Sequence, residues 1–332
     1  MSNLFGLTRI YLERALQSDP TAQRIVDRLG LPVITIDRYQ EIFNRKNQRF
    51  QHQKRNPALI LAKKEGKLLY AGDERIRSFG DEQVRYVDQV RNCIYNCDYC
   101  FLQGMHRSAH ILMHLNGDSY RSAVEEAATE RAIYLSVSYL TDLLAFESLH
   151  PFVDEWLDFV SERPNIELEI RTKSDNAPAI LHREAPDNAI LVFSLSPDPV
   201  VRRVEKGTAG FQSRLLHARE AIRQGWRVRL CFDPILAVPG WRELYERAIE
   251  ETFRRLPSEQ VEEVSYGLFR MHPDYMKQIR REREDAPLLY HTFSKTEELV
   301  TYEQELRQEM RRFVQDQLAG HLPEERISHV HG

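Results

Sequence analysis

The chain has 332 residues, of which 42% are apolar and 29% charged, the composition of an ordinary globular protein. Because its net charge is only -4, the charge of the whole chain does not indicate that it binds nucleic acid. A nucleic acid would have to bind at a local basic patch. No apolar stretch approaches the roughly 18 residues of a membrane span, and the start MSNLFGLTRIYLERAL lacks the regions of a signal peptide, so we expect a cytoplasmic protein without a membrane partner.

Residues 1–82 are predicted to form a small N-terminal α/β region. The segment TAQRIVDRLG has the apolar spacing of a helix, and ALILAKK and KLLYAG have the composition of strands. The polar run NRKNQRFQHQKRN lies between the helix and the strands.

Residues 83–270 alternate between strand and helix. Helical spacing places Phe152 and Trp156 on one face of a helix, and Gly225 suits the end of another. Strict alternation predicts a parallel sheet buried on both faces. Six units are too few for a full eight-stranded barrel, which leaves a partial barrel or a doubly wound open sheet, with reacting groups at the carboxyl ends of the strands. The six candidate strands are VRYVDQV (84–90), AIYLSVS (132–138), IELEIRTK (166–173), AILVFSLS (189–196), RVRLCFDPIL (227–236) and VEEVSYGLF (261–269).

Residues 271–332 change character and are predicted to form a mainly helical, highly charged C-terminal extension, which includes VTYEQELRQEMRRFVQDQLAG.

Three cysteines, Cys93, Cys97 and Cys100, fall within eight positions directly after the first strand of this block. A structural zinc site needs four ligands, so His106 or the distant Cys231 would have to complete it. A ferredoxin cluster needs four thiolates in a spacing that this chain lacks. The spacing therefore favours a 4Fe–4S cluster with three protein ligands and an open fourth iron.

The C-x3-C-x2-C loop, with an aromatic residue before its last cysteine, resembles the signature of the radical S-adenosylmethionine (SAM) superfamily. Over nearly the whole chain, the sequence resembles the spore photoproduct lyase family through IYLERALQSDPTAQRIVDRL, CDYCFLQG, EKGTAGFQSRL and EELVTYEQELRQEMRRFV. The resemblance implies a partial (β/α)6 TIM-like barrel. It also implies a 4Fe–4S cluster held by the three cysteines, SAM on the open iron, and an electron donor such as flavodoxin or ferredoxin. The implied reaction uses a 5′-deoxyadenosyl radical to repair a thymine photolesion in DNA.

Five residues match positions that contact the cofactor in this family. The resemblance places Thr141, Lys173 and Ser194 at the methionine end of SAM, with Asp142 beside them, and Tyr99 near the adenine. Each also has a purely structural interpretation. Asp142 suits a helix cap, and the lysine and serine could be a solvated strand-end charge and a small residue satisfied by backbone.

The departures from the family concern the return of hydrogen to the product radical. The cysteine that donates this hydrogen in the family is Tyr139 here, and a relay tyrosine is Phe101. Either Tyr139 or Cys231 could serve as the donor, although Cys231 could equally be a small core residue. The family has a glycine-bearing hairpin near its C-terminus that opens the DNA, and the segment PLLYHTFSKTEELVTY, which has no glycine, is predicted to lack that turn.

Two basic stretches could contact DNA phosphates, although a solvated charged face explains either one. FNRKNQRFQHQKRN mixes basic residues with Phe43 and Phe50, and RMHPDYMKQIRRERE is rich in arginine. Two alternatives to lesion repair remain, namely a radical SAM enzyme with another substrate and a non-catalytic cluster protein that binds nucleic acid. The basic residues are Arg45, Lys46, Arg49, Lys54, Arg55, Arg270, Lys277, Arg280, Arg281 and Arg283.

Overall fold

A computed structural model describes residues 4–72 and 83–330. The predicted N-terminal helix and strands are present. A proline at the first helical position and the Asp19 side chain, which accepts hydrogen bonds from Thr21 and Ala22, begin the first helix, and Gly30 ends it in the left-handed conformation. The elements of this region are β1 (Ile10–Glu13), α1 (Pro20–Leu29), β2 (Val33–Ile36), α2 (Phe50–Lys54), β3 (Leu59–Ala62) and β4 (Leu69–Ala71).

The following residues hold the predicted alternation of strands and helices, with four further short strands, β6, β7, β8 and β12. They comprise β5 (Val84–Val87), β6 (Val90–Arg91), β7 (Asn96–Cys97), α3 (Leu102–Met105), β8 (Ile111–His114), α4 (Gly117–Glu130), β9 (Ile133–Ser136), α5 (Phe152–Ser161), β10 (Ile166–Thr172), β11 (Ala189–Ser194), α6 (Asp198–Val204), β12 (Glu205–Lys206), α7 (Phe211–Arg223), β13 (Arg227–Ile235), α8 (Trp241–Arg255) and β14 (Glu263–Leu268).

All six predicted strands pair in parallel and in chain order, as β5-β9-β10-β11-β13-β14. A doubly wound sheet requires the strand order to reverse at a switch point, and this sheet does not reverse. The architecture is therefore the predicted partial barrel, whose helices cover the outer face. Its buried outer face comes from alternate strand residues such as Leu168, Ile170 and Leu191.

The N-terminal region and the barrel exchange strands. The N-terminal strands form a five-stranded sheet in the order β2-β1-β3-β8-β6, in which β8 and β6 come from later in the chain. In return, β4 pairs antiparallel with β5 at the edge of the barrel sheet. The predicted boundary at residue 82 lies outside the described residues, so the division into domains stays a prediction.

The C-terminal region contains a small antiparallel sheet in addition to its helices. Strand β18 pairs in parallel with β14 and extends the barrel sheet, whereas β15, β17 and β16 form a separate sheet. No helix in the described residues is long and apolar enough to cross a membrane. The elements are β15 (Arg270–Met271), α9 (Pro273–Glu282), β16 (Phe293–Lys295), β17 (Val300–Tyr302), α10 (Gln304–Ala319) and β18 (Ile327–His329).

The prediction that the C-terminal segment lacks a hairpin turn is wrong. Strands β16 and β17 pair antiparallel, and the loop of residues 296–299 closes through a 2.8 Å hydrogen bond from Thr296 N to Leu299 O. The Thr296 hydroxyl accepts the Leu299 N–H in return. Because none of the loop residues has a positive φ, the turn forms without the glycine that the prediction required.

Candidate active site

A cavity of about 530 Å³ opens at the carboxyl ends of the barrel strands. Cys231 does not line it, although every other predicted site residue does. The predicted residues that share this cavity are Cys93, Cys97, Tyr99, Cys100, Tyr139, Thr141, Asp142, Lys173 and Ser194. Residues from separate parts of the sequence therefore meet where a parallel sheet places its reacting groups.

The loop that carries the three cysteines is held by backbone pairing on one side. Strand β7 pairs antiparallel with β12, which sets Cys97 opposite Glu205. The Gln103 amide donates a 2.7 Å hydrogen bond to the Cys97 carbonyl, and the Lys54 amine donates to the Cys93 carbonyl. These contacts fix the backbone at two of the three cysteines before any cofactor is bound.

Helix α9 holds the other side of the same loop. The buried Arg283 guanidinium donates to Asp98 and to Gln103. The helix can approach this closely because residue 104 is glycine, and a Cβ there would lie 2.3 Å from the Cβ of Tyr275. Gly104 in the CDYCFLQG segment therefore has a packing reason, which the sequence alone does not reveal.

The three thiols suit a metal cluster better than they suit free cysteines. Burial raises the pKa of the Cys93 thiol to about 12 and also raises the pKa values of Cys97 and Cys100, so each thiol keeps its proton at neutral pH unless a metal replaces it. Within residues 4–72 and 83–330, no group of three His, Cys, Asp or Glu side chains is placed to hold a single metal ion. Cys93, Cys97 and Cys100 all line the cavity, so the loop brings the three predicted ligands to one site.

Lys173 is oriented by a buried ionic network. Its amine lies 2.7 Å from Glu205 Oε1 and contacts the Tyr99 hydroxyl, which donates to the same carboxylate. Arg214 pairs with the other oxygen of Glu205 at 2.6 Å. Burial opposes ionisation of Glu205, but Lys173 and Arg214 together hold its pKa well below the usual range.

The remaining predicted SAM contacts lie at neighbouring strand ends. The Asp142 carboxylate accepts hydrogen bonds from the Thr172 hydroxyl and the Lys173 backbone N–H, at 2.9 and 2.7 Å. Burial raises the pKa of Asp142 to about 6. The Thr141 hydroxyl donates to the Asn92 carbonyl at 2.7 Å, so this threonine also has a structural role.

One polar group of the cavity was missed by the sequence reasoning. The Ser138 hydroxyl is buried and has no hydrogen-bond partner among the described residues, and its residue lines the cavity. A buried polar group without a partner is costly, so this hydroxyl is available to a bound ligand. The only sequence signal for Ser138 is the alternation of residues between the two faces of the strand AIYLSVS.

The two candidate hydrogen donors belong to one cluster inside the barrel. The Tyr139 ring lies 5.6 Å from that of Phe101 and 4.6 Å from that of Tyr86. Cys231 packs in the same inner cluster, with Tyr139 against its edge. It is fully buried behind Arg171, whose guanidinium donates to its sulfur at 3.0 Å.

Two further ion pairs in the cavity were not predicted. Arg171 pairs with Glu169 at 2.6 Å, and Arg270 pairs with Asp233 at 2.9 Å. All four residues line the cavity. Glu169 and Arg171 are two residues apart on β10, so the alternation of the strand indicates that both face the same side. The Asp233–Arg270 pair joins different strands and leaves no such pattern in the sequence.

The sequence model of the family described as spore photoproduct lyase matches residues 86–330, well over half of the chain. The chain belongs to the spore photoproduct lyase family. Spore photoproduct lyase of Bacillus subtilis strain 168 is 20% identical over 275 residues, which cover 81% of this chain and 79% of that protein. The chain spans only 53% of the length of its relative from Geobacillus sp. strain Y412MC61, with 22% identity over 180 residues.

Solved structures of spore photoproduct lyase share the fold. The complex with dinucleoside spore photoproduct matches with a TM-score of 0.83 and 16% identity over 99% of both chains. A double mutant with bound AdoMet and dinucleoside spore photoproduct matches with a TM-score of 0.81 and 17% identity over 98% of both chains. At 16 and 17% identity, these two likenesses show a shared fold.

Only some of the predicted basic residues are exposed and able to contact DNA. Phe43 and Phe50 are buried and unavailable for stacking on bases. Lys54 and Arg283 hold the cysteine loop, and Arg270 faces the cavity. The predicted phosphate role is therefore wrong for Lys54 and Arg283, and the exposed basic residues of the two stretches are Arg45, Lys46, Arg49, Arg55, Lys277 and Arg281.

Proposed function

We propose that the chain binds a 4Fe–4S cluster through Cys93, Cys97 and Cys100, and uses it with SAM to open a thymine photolesion in DNA. The observation that carries this proposal is the meeting of three thiols and the predicted SAM contacts in one cavity. Its volume suits a nucleoside-sized cofactor together with part of a substrate. When bound, the cluster and SAM supply a 5′-deoxyadenosyl radical that abstracts hydrogen from the substrate.

The chain's own residues orient SAM at the ends of β10 and β11. The Lys173 ammonium is suited to the carboxylate of SAM, since Glu205 and Tyr99 hold its position. The Asp142 carboxylate is suited to the SAM ammonium group, since its orientation is fixed by Thr172 and the backbone. Ser194, at the last position of β11, and Thr141 complete this end of the site.

Tyr99 serves mainly to position Lys173, because its hydroxyl is committed to Glu205. Burial and the neighbouring Glu205 raise the pKa of Tyr99 well above its ordinary value, so the phenol stays protonated. Its ring lines the cavity beside the cysteines, where it can pack against the adenine as the family resemblance implies.

Tyr139 is the better placed of the two candidate hydrogen donors. It lines the cavity, whereas Cys231 does not line it and lies behind Arg171. In the proposed step, the carbon radical of the product takes the phenolic hydrogen atom, which forms a C–H bond, breaks the O–H bond and leaves a Tyr139 phenoxyl radical. One electron from a carrier such as flavodoxin or ferredoxin, together with one proton from solvent, then restores the tyrosine.

DNA reaches the cavity past the C-terminal hairpin. Leu299 in the hairpin loop lines the cavity mouth together with Met271 and His272. Enzymes that act on a base need a way to take it out of the duplex. An apolar residue on a hairpin at the mouth is suited to fill the space that an extruded lesion leaves.

The proposal is tested with dinucleoside spore photoproduct, anaerobically reconstituted enzyme, SAM and a strong reductant. We expect 5′-deoxyadenosine and the separated thymidines. Formation of 5′-deoxyadenosine without thymidine would retain the radical chemistry but assign another substrate. Failure to form 5′-deoxyadenosine with or without a substrate would reject the proposed chemistry altogether.

A further inference from the structure

A second, smaller cavity lies beside the reaction cavity. It measures about 170 Å³, lies between α10 and the ends of β14, β17 and β18, and is open to solvent at the exposed side chains of Gln304, Gln308 and Arg311. We call it the arginine niche. Its lining residues are Leu268, Arg270, Thr301, Gln304, Arg307, Gln308, Arg311, His329 and Val330.

The lining of the arginine niche favours an anion. It contains three arginines, a histidine and two amide side chains, and no acidic residue. Among the described residues, the Nε atom of Arg307 is buried without a hydrogen-bond partner. The exposed Arg311 side chain interacts with the Tyr266 phenol, and its charge partly offsets the rise that burial causes in the pKa of that tyrosine. Within residues 4–72 and 83–330, neither Arg307 nor Arg311 forms an ion pair with a carboxylate, and both line the small cavity.

Arg270 forms the wall that the two cavities share. It lines both of them, and its guanidinium is fixed by Asp233 at 2.9 and 3.1 Å. Gly267 allows this arrangement, because a Cβ there would lie 2.8 Å from the Arg270 guanidinium. A ligand in the arginine niche is thus separated from the reaction cavity by a single side chain.

The arginine niche also adjoins the hairpin at the cavity mouth. Thr301 lines the niche from β17, and Leu299, two residues earlier, lines the reaction cavity. Leu268 ends β14 and Val330 follows β18, so the niche opens at the carboxyl edge of the sheet, as the reaction cavity does. The two cavities therefore lie at the same edge of the sheet and share Arg270.

We propose that the arginine niche binds a backbone phosphodiester of the DNA strand that carries the lesion, while the lesion occupies the neighbouring cavity. A phosphodiester has one negative charge and two free oxygens, which suit a paired set of guanidinium donors. Contacts of this kind position a strand without reading its sequence. The inference rests on the proposed lesion-repair function and adds the site that holds the backbone.

The test compares two substrates that differ in their phosphates. Dinucleoside spore photoproduct has no phosphate, whereas a lesion-bearing oligonucleotide has one on each side of the lesion. The variant is the double substitution Arg307→Gln and Arg311→Gln. The matched control is Arg312→Gln, which removes an exposed arginine from the same helix outside the niche.

We expect the double variant to raise KM for the oligonucleotide about tenfold or more and to leave kcat/KM for the dinucleoside within about twofold. The salt dependence of oligonucleotide binding should lose about one unit of slope for each lost contact. The control should change neither substrate by more than about twofold. Arg307→Lys with Arg311→Lys should recover part of the salt slope, because the charge is retained.

Three outcomes would overturn the inference. One is an equal loss of activity on both substrates in the double variant, which would indicate a structural role. Another is a loss on the oligonucleotide no larger than that of Arg312→Gln. The third is protection of the niche by inorganic phosphate alone, with oligonucleotide binding unchanged in the double variant. Each leaves the dinucleoside reaction of the unmodified enzyme as an independent test of the proposed function.

Discussion

Glu205 and Arg214 form an ion pair of 2.6 Å in which neither side chain is exposed to solvent. The same carboxylate orients Lys173 and Tyr99, and its backbone pairs with Cys97. The stability of the barrel and the geometry of the site therefore depend on one buried charge.

Glu205→Gln is expected to lower the free energy of unfolding by about 3 kcal/mol or more, because it leaves the Arg214 charge buried and unpaired. Denaturant titration measures this change. The matched control is Glu220→Gln, which breaks an exposed pair with Arg223 and should cost no more than about 1 kcal/mol. Similar losses in the two variants would contradict a central role for Glu205.

In Tyr139→Phe we expect the 5′-deoxyadenosyl radical to form, while the return of hydrogen to the product radical fails. Phenylalanine keeps the ring contacts with Phe101 and Tyr86 but has no O–H hydrogen to donate. Formation of 5′-deoxyadenosine should continue, while the yield of repaired thymidine falls about tenfold or more. Product analysis by mass spectrometry checks both quantities.

Cys231→Ala is the companion variant, and it should leave the product ratio unchanged. If the yield falls in Cys231→Ala and not in Tyr139→Phe, the thiol is the donor and the assignment to Tyr139 is wrong. Reaction of the unmodified enzyme in D₂O should place deuterium in the product, since a phenolic hydrogen exchanges with solvent.

Gly104→Ala is expected to weaken cluster binding at a distance from the cysteines. The new Cβ would lie 2.3 Å from the Cβ of Tyr275, so α9 must move, and Arg283 on the same segment would lose its hold on Asp98. Iron content after anaerobic reconstitution should fall at least twofold. The control is Gly210→Ala, in which the new Cβ meets only Asp198, at 3.8 Å. We expect the iron content to be unchanged in Gly210→Ala and reduced in Gly104→Ala. Full iron content in Gly104→Ala would refute this role of α9.

Local patterns predicted the six barrel strands and most of the cavity, because strand periodicity and parallel-sheet geometry together place residues at one edge. The exchange of β4, β6 and β8 between the two sheets could not be predicted, since pairing partners leave no local pattern. Lys54 and Arg283 were predicted to be solvated charges, because nothing in the sequence around them indicates that they contact the cysteine loop. The hairpin was missed because a threonine side chain replaced the expected glycine.

His110 is expected to make stability depend on pH. Burial lowers its pKa to about 4, and its Nδ1 accepts a 3.1 Å hydrogen bond from Ala58 N. Because the unfolded-state pKa is about 6.5, unfolding takes up a proton below that pH. The stabilising contribution is thus present above about pH 6.5 and is lost as the pH falls towards the folded value.

His110→Asn keeps an acceptor near the Nδ1 position and removes the titration. Between about pH 7 and pH 5.5, the loss of unfolding free energy should be smaller in the variant than in the unmodified protein by about 1 kcal/mol. Chemical denaturation at the two pH values measures this difference. Equal losses in both proteins would show that His110 does not titrate on unfolding.

In the proposed cofactor site, three cysteines bind a cluster with one iron open to SAM. Electron paramagnetic resonance of the anaerobically reconstituted, reduced protein, recorded with and without SAM, tests it most directly. We predict about four iron atoms per chain, a reduced-cluster signal that changes when SAM is added, and loss of the cluster in Cys93→Ala, Cys97→Ala and Cys100→Ala. Bound zinc, or a reduced-cluster signal that SAM leaves unchanged, would contradict it.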